Sequence, residues 1–331
     1  MQHELRPLDK MNQYADLRAA DLIQFAADFA RVDNQIFRIC PTCGESHASL
    51  AFDKQGFAFV RCGSCMSVYV NPVPSPAMLS HYYDGFESMQ YFHQEVLAQT
   101  LERRRRIFSD RADMLAPFVI PGGHVLEVGS SIGLFLEQAL ARKWNITGVE
   151  VNEALVQRTR RELGANVIQG FVEQVRLPEH IDMAVMWEVL EHLVEPIVVL
   201  KKLSQLMGPH GRIAVTVPNY NGIEYSACGS DHEMVEAPGH LNYFTPENIE
   251  QLFARSGFKV IELQTPGVLD FTNIIQEMRR CKQPVGMGDK FLTRLVDSIS
   301  EADSKALDGL MTQLIQKNKL SGHMFIVAQR A

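Results

Sequence analysis

The sequence predicts an α/β protein: a mostly parallel sheet covered on both faces, with a small cysteine-built module on its N-terminal side. Three observations carry that expectation. From residue 124 onward, short strand-like apolar runs alternate with segments of helical period. A glycine turn follows the first of these strands in VLEVGSSIGLFL, residues 125–136. Four of the six cysteines fall in two tight pairs ahead of that region. At 331 residues the chain has room for one large domain and an accessory module. With 46% hydrophobic and 21% charged residues it reads as a globular chain, neither disordered nor dominated by membrane spans.

The formal charge of -7 gives no overall attraction to a phosphate backbone, so nucleic acid is not the expected partner. The first residues, MQHELRPLDKMNQYADLRAADL, lack the apolar core of a secretory leader. No stretch reaches the roughly 18 uninterrupted apolar residues of a membrane span. A cytoplasmic location is therefore expected.

Taken in order, residues 1–36 read as an N-terminal helical segment and 37–72 as the cysteine module. Residues 73–120 form a helical linker or lid, with a turn of three prolines and then one long helix from about Tyr91 to Leu115. In 121–331, HVLEV, ITGVE, NVIQG, DMAVMWEV, GRIAVTVP, FKVIELQ and HMFIVAQR read as strands. LFLEQALARKW, NEALVQRTRREL, EPIVVLKKLSQLM and TPENIEQLFARSG read as helices, the last opening at Thr245 as N-cap and closing at Gly257. Residues 268–322 form a helical insertion that packs over a pocket rim or against a second subunit, a homodimer contact; the pattern does not choose.

The cysteines Cys40, Cys43, Cys62 and Cys65 make C-x2-C-x18-C-x2-C, the spacing of a four-thiolate zinc site. Four thiolates fill a tetrahedral ion, so the Zn2+ is expected to be structural. Gly44 and Gly63 ease the two turns, His47 is a weak alternative ligand, and Cys228 and Cys281 are expected to pack.

The turn after the first strand reads Glu127-x-Gly129-x-Ser131-x-Gly133, the wrong register for the G-x-G-x-x-G that receives a pyrophosphate. A carboxylate at the strand end would also repel phosphates, whereas a ligand with an ammonium and a sulfonium suits it. Glu150 ends the second strand, where a carboxylate accepts from both ribose hydroxyls. The two acids point to S-adenosylmethionine.

With these residues in view, 120–331 resemble the class I S-adenosylmethionine-dependent methyltransferases, in the branch that carries EVLEHL after the fourth strand and GHLNYFT before a late helix. The resemblance implies a Rossmann-like seven-stranded sheet whose final strand runs antiparallel, and a glycine loop wrapping the methionine moiety. Ser131 departs from the usual glycine, and a non-left-handed backbone is expected there. Phe171 and Val172 are implied as apolar walls of the adenine site, and Trp187 and Glu188 as the cofactor floor.

Glu191 and His192 complete the EVLEHL string and are read as caps of the next helix. The long, His- and Tyr-rich connection 219–244 is expected to form the acceptor pocket. His240 is the expected base, with Tyr243 orienting the acceptor; His232, Glu233 and Glu236 are weaker candidates. Tyr82, Tyr83 and Tyr91 form a lid or pack between helices. Arg103 to Arg106 circle a helix and read as a solvated face, with one of the four a candidate to grip the methionine carboxylate or a substrate phosphate.

The sequence-level reading is methyl transfer to a small polar acceptor, a sugar or nucleotide-sugar, with oxygen favoured over carbon. Two rivals are an RNA base methyltransferase that uses the ribbon on RNA, and a non-catalytic protein that kept the cofactor fold.

Overall fold

The computed structural model describes residues 8–267 and 301–331, together with 294 and 298. The chain begins with α1 (Leu8–Phe29), followed by β1 (Gln35–Ile36). The cysteine module is β2 (Ala48–Lys54), β3 (Phe57–Cys62) and β4 (Val68–Val70), with β5 (Val73–Pro74) pairing back on β1. Gln55 and Gly56, both at positive φ, close the β2–β3 hairpin. Phe25 and Phe29 on one face of α1 bury against Phe57, which is why this helix sits on the module.

The linker is α2 (Pro76–Gly85), α3 (Glu87–Tyr91), a π turn at Phe92–Val96, α4 (Leu97–Gln99) and α5 (Leu101–Leu115). Ser75 caps α2 by accepting from the Met78 amide, and Pro76 occupies the first helical position. The expected single helix from Tyr91 is thus segmented. Thr100 leaves helical geometry, and its hydroxyl donates to the Val96 carbonyl at 2.8 Å, bending the chain there.

From β6 (His124–Val128) the chain alternates α6 (Leu134–Ala141), β7 (Asn145–Glu150), α7 (Glu153–Leu163), β8 (Asn166–Gln169), β9 (Ile181–Trp187), α8 (Pro196–Leu206) and β10 (Met207–Pro218). Then come α9 (Ile223–Cys228), β11 (Asn242–Tyr243), α10 (Pro246–Arg255), β12 (Phe258–Gln264), α11 (Glu301–Lys317) and β13 (His323–Arg330). Thr245 caps α10 as expected, in a reciprocal box with Asn248. Of the insertion, 268–293 lies outside the described residues, and α11 is its described helix.

The seven strands lie in the order β12-β13-β10-β9-β6-β7-β8. β13 is antiparallel to both neighbours, as the resemblance implies. Side chains alternate between faces with period 2. Leu126, Val128, Ala184 and Met186 join α8 and α10 in one core, while Val125, Met183 and Val185 join α5, α6 and α7 in the other. The chain runs outward from β6 to β7 and β8, then returns to place β9 on the other side of β6. The crevice at the carboxyl ends of β6 and β9 is where such a reversal leaves space for a ligand.

The cysteine module is tied to this sheet by backbone and by arginine. β11, from the 219–244 connection, pairs antiparallel with β4 and extends the module to four strands. Arg38 is buried and donates to the carbonyls of Val70, Val194 and Leu241, one on the module and two on the larger domain. Arg255 of α10 donates to the Thr42 carbonyl at 2.8 Å. Replacing Arg38 with Ala removes the guanidinium from the Val70, Val194 and Leu241 carbonyls at the junction, and we expect a loss of roughly 2–4 kcal/mol in urea unfolding.

Candidate active site and thiolate cluster

The thiol cluster is built by two matching turns. In the first, Cys40 accepts at its carbonyl from the Gly44 amide; in the second, Cys62 accepts from the Met66 amide. Gly44 has φ +79, as the sequence suggests, but in the second turn the left-handed residue is Met66 at φ +61 and not Gly63. Gly63 is held by close approach, since its amide donates to the His47 carbonyl. Sγ of Cys40 lies 3.6 Å from that of Cys65, and Cys43 lies 3.5 Å from Cys62. Zinc–sulfur bonds of about 2.3 Å in a tetrahedron put sulfurs about 3.8 Å apart, so the set fits zinc. His47 stands outside the set that could hold an ion. Cys228 is buried and disulfide-bonded, which the packing expectation missed; Cys281 lies outside the described residues.

The glycine loop after β6 turns through three left-handed residues: Gly129 at φ +74, Ser131 at +48 and Gly133 at +78. A Cβ on Gly129 would meet Val189 at 2.6 Å, and one on Gly133 would meet Thr159 at 2.6 Å. Ser131 was expected to avoid the left-handed region and does not. The turn must aim its amide at Glu150 Oε2, 2.7 Å away, and that charge-assisted bond offsets the strain. Glu150 Oε1 accepts from the Asn152 amide at 2.9 Å.

Glu127 is buried beside it, with Oε2 lacking a hydrogen-bond partner. Burial, and then the charge of Glu150, push the Glu127 carboxyl well above the usual range; burial raises Glu150 as well. Two buried acids with spare acceptor capacity suit a ligand that brings cationic and hydroxyl donors.

These residues line a cavity of about 540 Å³, within the usual range for small-ligand sites. Every sequence-proposed cofactor residue but Gly133 lies on its wall: Glu127, Gly129, Ser131, Glu150, Phe171, Val172, Trp187 and Glu188. Gly133 stands behind it as the left-handed entry to α6. Trp187 also packs on Phe135 and Phe325, so it serves core and cavity together. Glu188 pairs with Arg111 at 3.2 Å and lies 3.6 Å from His323.

Sequence reasoning misplaced the roof. No residue of 219–244 lines the cavity. Tyr82 and Tyr83 of α2 do, but Tyr91 does not; its hydroxyl donates to Gln13. From α5 come Arg104, Ile107, Phe108 and Arg111, spaced i, i+3, i+4, i+7 on one face. That spacing was the signal by which Arg111, whose guanidinium lies 5.3 Å from the Trp187 ring centre, could have been found. Within the arginine run, Arg105 pairs with Glu102 and Glu137, and Arg104 is the residue that reaches the cavity.

The 219–244 connection is a structural strap. Tyr243 is buried, its hydroxyl accepting from the Glu236 amide and lying 3.2 Å from the His240 carbonyl. Glu236 pairs with Arg18, and His232 stacks on Tyr225. His240 is buried with its ring edge-on to His192, 4.8 Å between centres, and it is His192 that lines the cavity. Burial lowers both imidazoles, His240 most strongly, so both are neutral near pH 7. The reading of Glu191 and His192 as mere helix caps does not hold: α8 starts at Pro196, with Glu195 in the N-cap position.

Residues 100–263 match the family model described as a methyltransferase domain. Among curated proteins, the chain is similar to a ubiquinone biosynthesis O-methyltransferase of Aeromonas salmonicida, 23% identical over 155 residues, covering 43% of this chain and 65% of that protein. Another of that name, from Pseudomonas fluorescens, is 28% identical over 128 residues, covering 36% and 55%. The chain thus spans less than two thirds of the length of these relatives. A solved SAM-dependent methyltransferase from Archaeoglobus fulgidus superposes with a TM-score of 0.48 at 16% identity, covering 68% of this chain and 94% of that one. The matched stretch runs through the acid pair and the glycine loop, so residues 100–263 are a methyltransferase domain, carried on the seven-stranded sheet described above.

Proposed function

We propose that the protein moves the methyl group of S-adenosylmethionine to an oxygen of a small polar acceptor. The observation that carries this reading is the cavity in which Glu127 and Glu150, buried and short of cationic partners, stand at the ends of adjacent parallel strands. S-adenosylmethionine supplies an electrophilic methyl group on a sulfonium. The rest is the work of this chain's side chains. Glu127 accepts from the ammonium, and Glu150 accepts from the ribose hydroxyls while its bond to the Ser131 amide holds the loop in shape. Phe171 and Val172 flank the adenine, and Trp187 and Glu188 form the floor, with His323 and then Arg111 holding the Glu188 carboxyl below its usual range against the effect of burial.

Alignment of the acceptor oxygen with the methyl carbon is the main catalytic contribution in such a displacement. His192 marks the acceptor end: its Nδ1 lies 2.7 Å from the Gly239 carbonyl, which only accepts, so Nε2 keeps a lone pair. His240 and Tyr243 then act as positioning residues, Tyr243 holding the strap and His240 backing His192. Oxygen is favoured because the curated relatives carry O-methyltransferase names, and a sugar or nucleotide-sugar hydroxyl is the acceptor taken from the sequence reading. The thiolate cluster holds Zn2+ as a structural ion.

Calorimetry of S-adenosylmethionine on the full chain tests the reading directly; absence of binding sinks it. Because the Glu127 carboxyl is raised and the ligand is cationic, binding favours the ionised acid and releases a proton. Affinity should therefore rise with pH through that raised range, with a heat that depends on the ionisation enthalpy of the buffer. Glu127→Gln should weaken S-adenosylmethionine by about ten- to a hundredfold, the worth of a hydrogen bond to a charged group.

The same variant has a stability signature of opposite sign. A carboxyl raised on folding favours the folded state below its unfolded value, and that contribution is lost as pH rises through the folded value. Glu127→Gln should therefore unfold at higher urea than the parent near pH 8, with the gap closing toward pH 4. Stripping the thiolate zinc with a chelator should lower the melting temperature and expose Cys40, Cys43, Cys62 and Cys65 to thiol reagents; unchanged melting would remove zinc from the account.

A further inference from the structure

We propose a second metal site, formed by Glu191, His192 and His240, that takes a first-row divalent cation at the acceptor end of the cavity. The three side chains each offer one ligand atom, and these atoms lie within 4.8 Å of one another. Glu191 Oε1 is 3.9 Å from His192 Nε2. Metal–ligand bonds of about 2.0–2.2 Å place tetrahedral donors about 3.4 Å apart, so the side chains need to close by about 1 Å.

Three features make this more than a chance cluster. First, the Glu191 side chain is 1% exposed, and neither of its carboxylate oxygens has a hydrogen-bond partner among the described residues. A buried carboxylate with no donor is costly, and a cation is the partner that removes the cost.

Second, both histidines are set up as ligands from behind. His192 Nδ1 is 2.7 Å from the Gly239 carbonyl and His240 Nδ1 is 2.9 Å from the Met234 carbonyl. A carbonyl oxygen only accepts, so each Nδ1 carries the hydrogen and each Nε2 carries a lone pair. A backbone carbonyl behind each imidazole is the arrangement that orients metal-binding histidines.

Third, the backbone holds the set together across a long stretch of chain. The Leu241 amide donates to the Glu191 carbonyl, and the Asn242 side chain donates to the carbonyls of Glu191 and Leu193. The strap that does not line the cavity thereby delivers His240 to it from the rear.

Two imidazoles and a carboxylate suit Zn2+, Mn2+ or Fe2+, in contrast to the four-thiolate site, which excludes harder ions such as Mn2+. Three protein ligands leave positions open, and His192 lines the cavity, so an oxygen entering from that side completes the coordination. That this oxygen belongs to the methyl acceptor rests on the proposed function; the metal site itself does not.

The experiment uses the full chain with its thiolate site loaded with zinc. Mn2+ binding is read by loss of the free-ion paramagnetic resonance signal, and a second zinc by equilibrium dialysis. We expect one further cation per chain, nitrogen coupling from imidazole in the pulsed spectrum of bound Mn2+, and at least about tenfold weaker binding in Glu191→Gln and His240→Ala. The site is overturned when neither cation binds beyond the thiolate zinc, when bound Mn2+ shows no imidazole nitrogen, or when both variants bind as the parent does. Should either variant fail to fold, the nitrogen coupling in the parent decides. S-adenosylmethionine calorimetry on the same samples separates this outcome from failure of the cofactor reading, since the two bindings use different residues.

Discussion

The structure turns on negative charge buried at the ends of neighbouring parallel strands. β6 and β7 run in register, with Val128 opposite Val149, so Glu127 and Glu150 emerge at the same rim of the sheet. Neither forms an ion pair among the described residues, and both are raised by burial. Such a pair is unfavourable in the empty protein, and it persists because the two hydrophobic cores on either face of the sheet hold the strands where they are. The glycine loop is shaped by the same demand. Its left-handed residues turn the Ser131 amide onto Glu150 and keep the backbone close enough for a ligand to sit over Gly129.

A third buried acid repeats the theme beyond β9. Glu191 follows β9 by one short turn, as Glu127 ends β6, and it too is raised by burial. Glu191 does not line the cavity but lies next to His192, which does, while Glu188 on the wall is held by Arg111. No residue of the long connection reaches the cavity wall.

The thiolate module acts on this arrangement at a distance. By pairing β4 with β11 it converts what would be a loose loop into part of a sheet, and Arg38 and Arg255 clamp the junction. Once the strap is committed to the module, the cavity needs another cover, and α2 to α5 supply it with Tyr82, Tyr83 and the Arg104–Arg111 face. The module thus places the strap, and the strap places His240 behind His192.

What the sequence determined by itself was everything carried by local period and fixed spacing: the alternation of strands and helices from 124, the Thr245 cap, the glycine turn, the acids Glu127 and Glu150, and the cysteine pairs. Each depends on contacts within a few residues or on a chemistry that a spacing announces. Tertiary structure alone decided which long segment roofs the cavity, that Ser131 is left-handed, and that His192 and not His240 reaches the wall. Those outcomes depend on pairings such as Asn242 with Tyr69 and Leu241 with Glu191, between residues far apart in the chain, and no pattern within either segment encodes its partner.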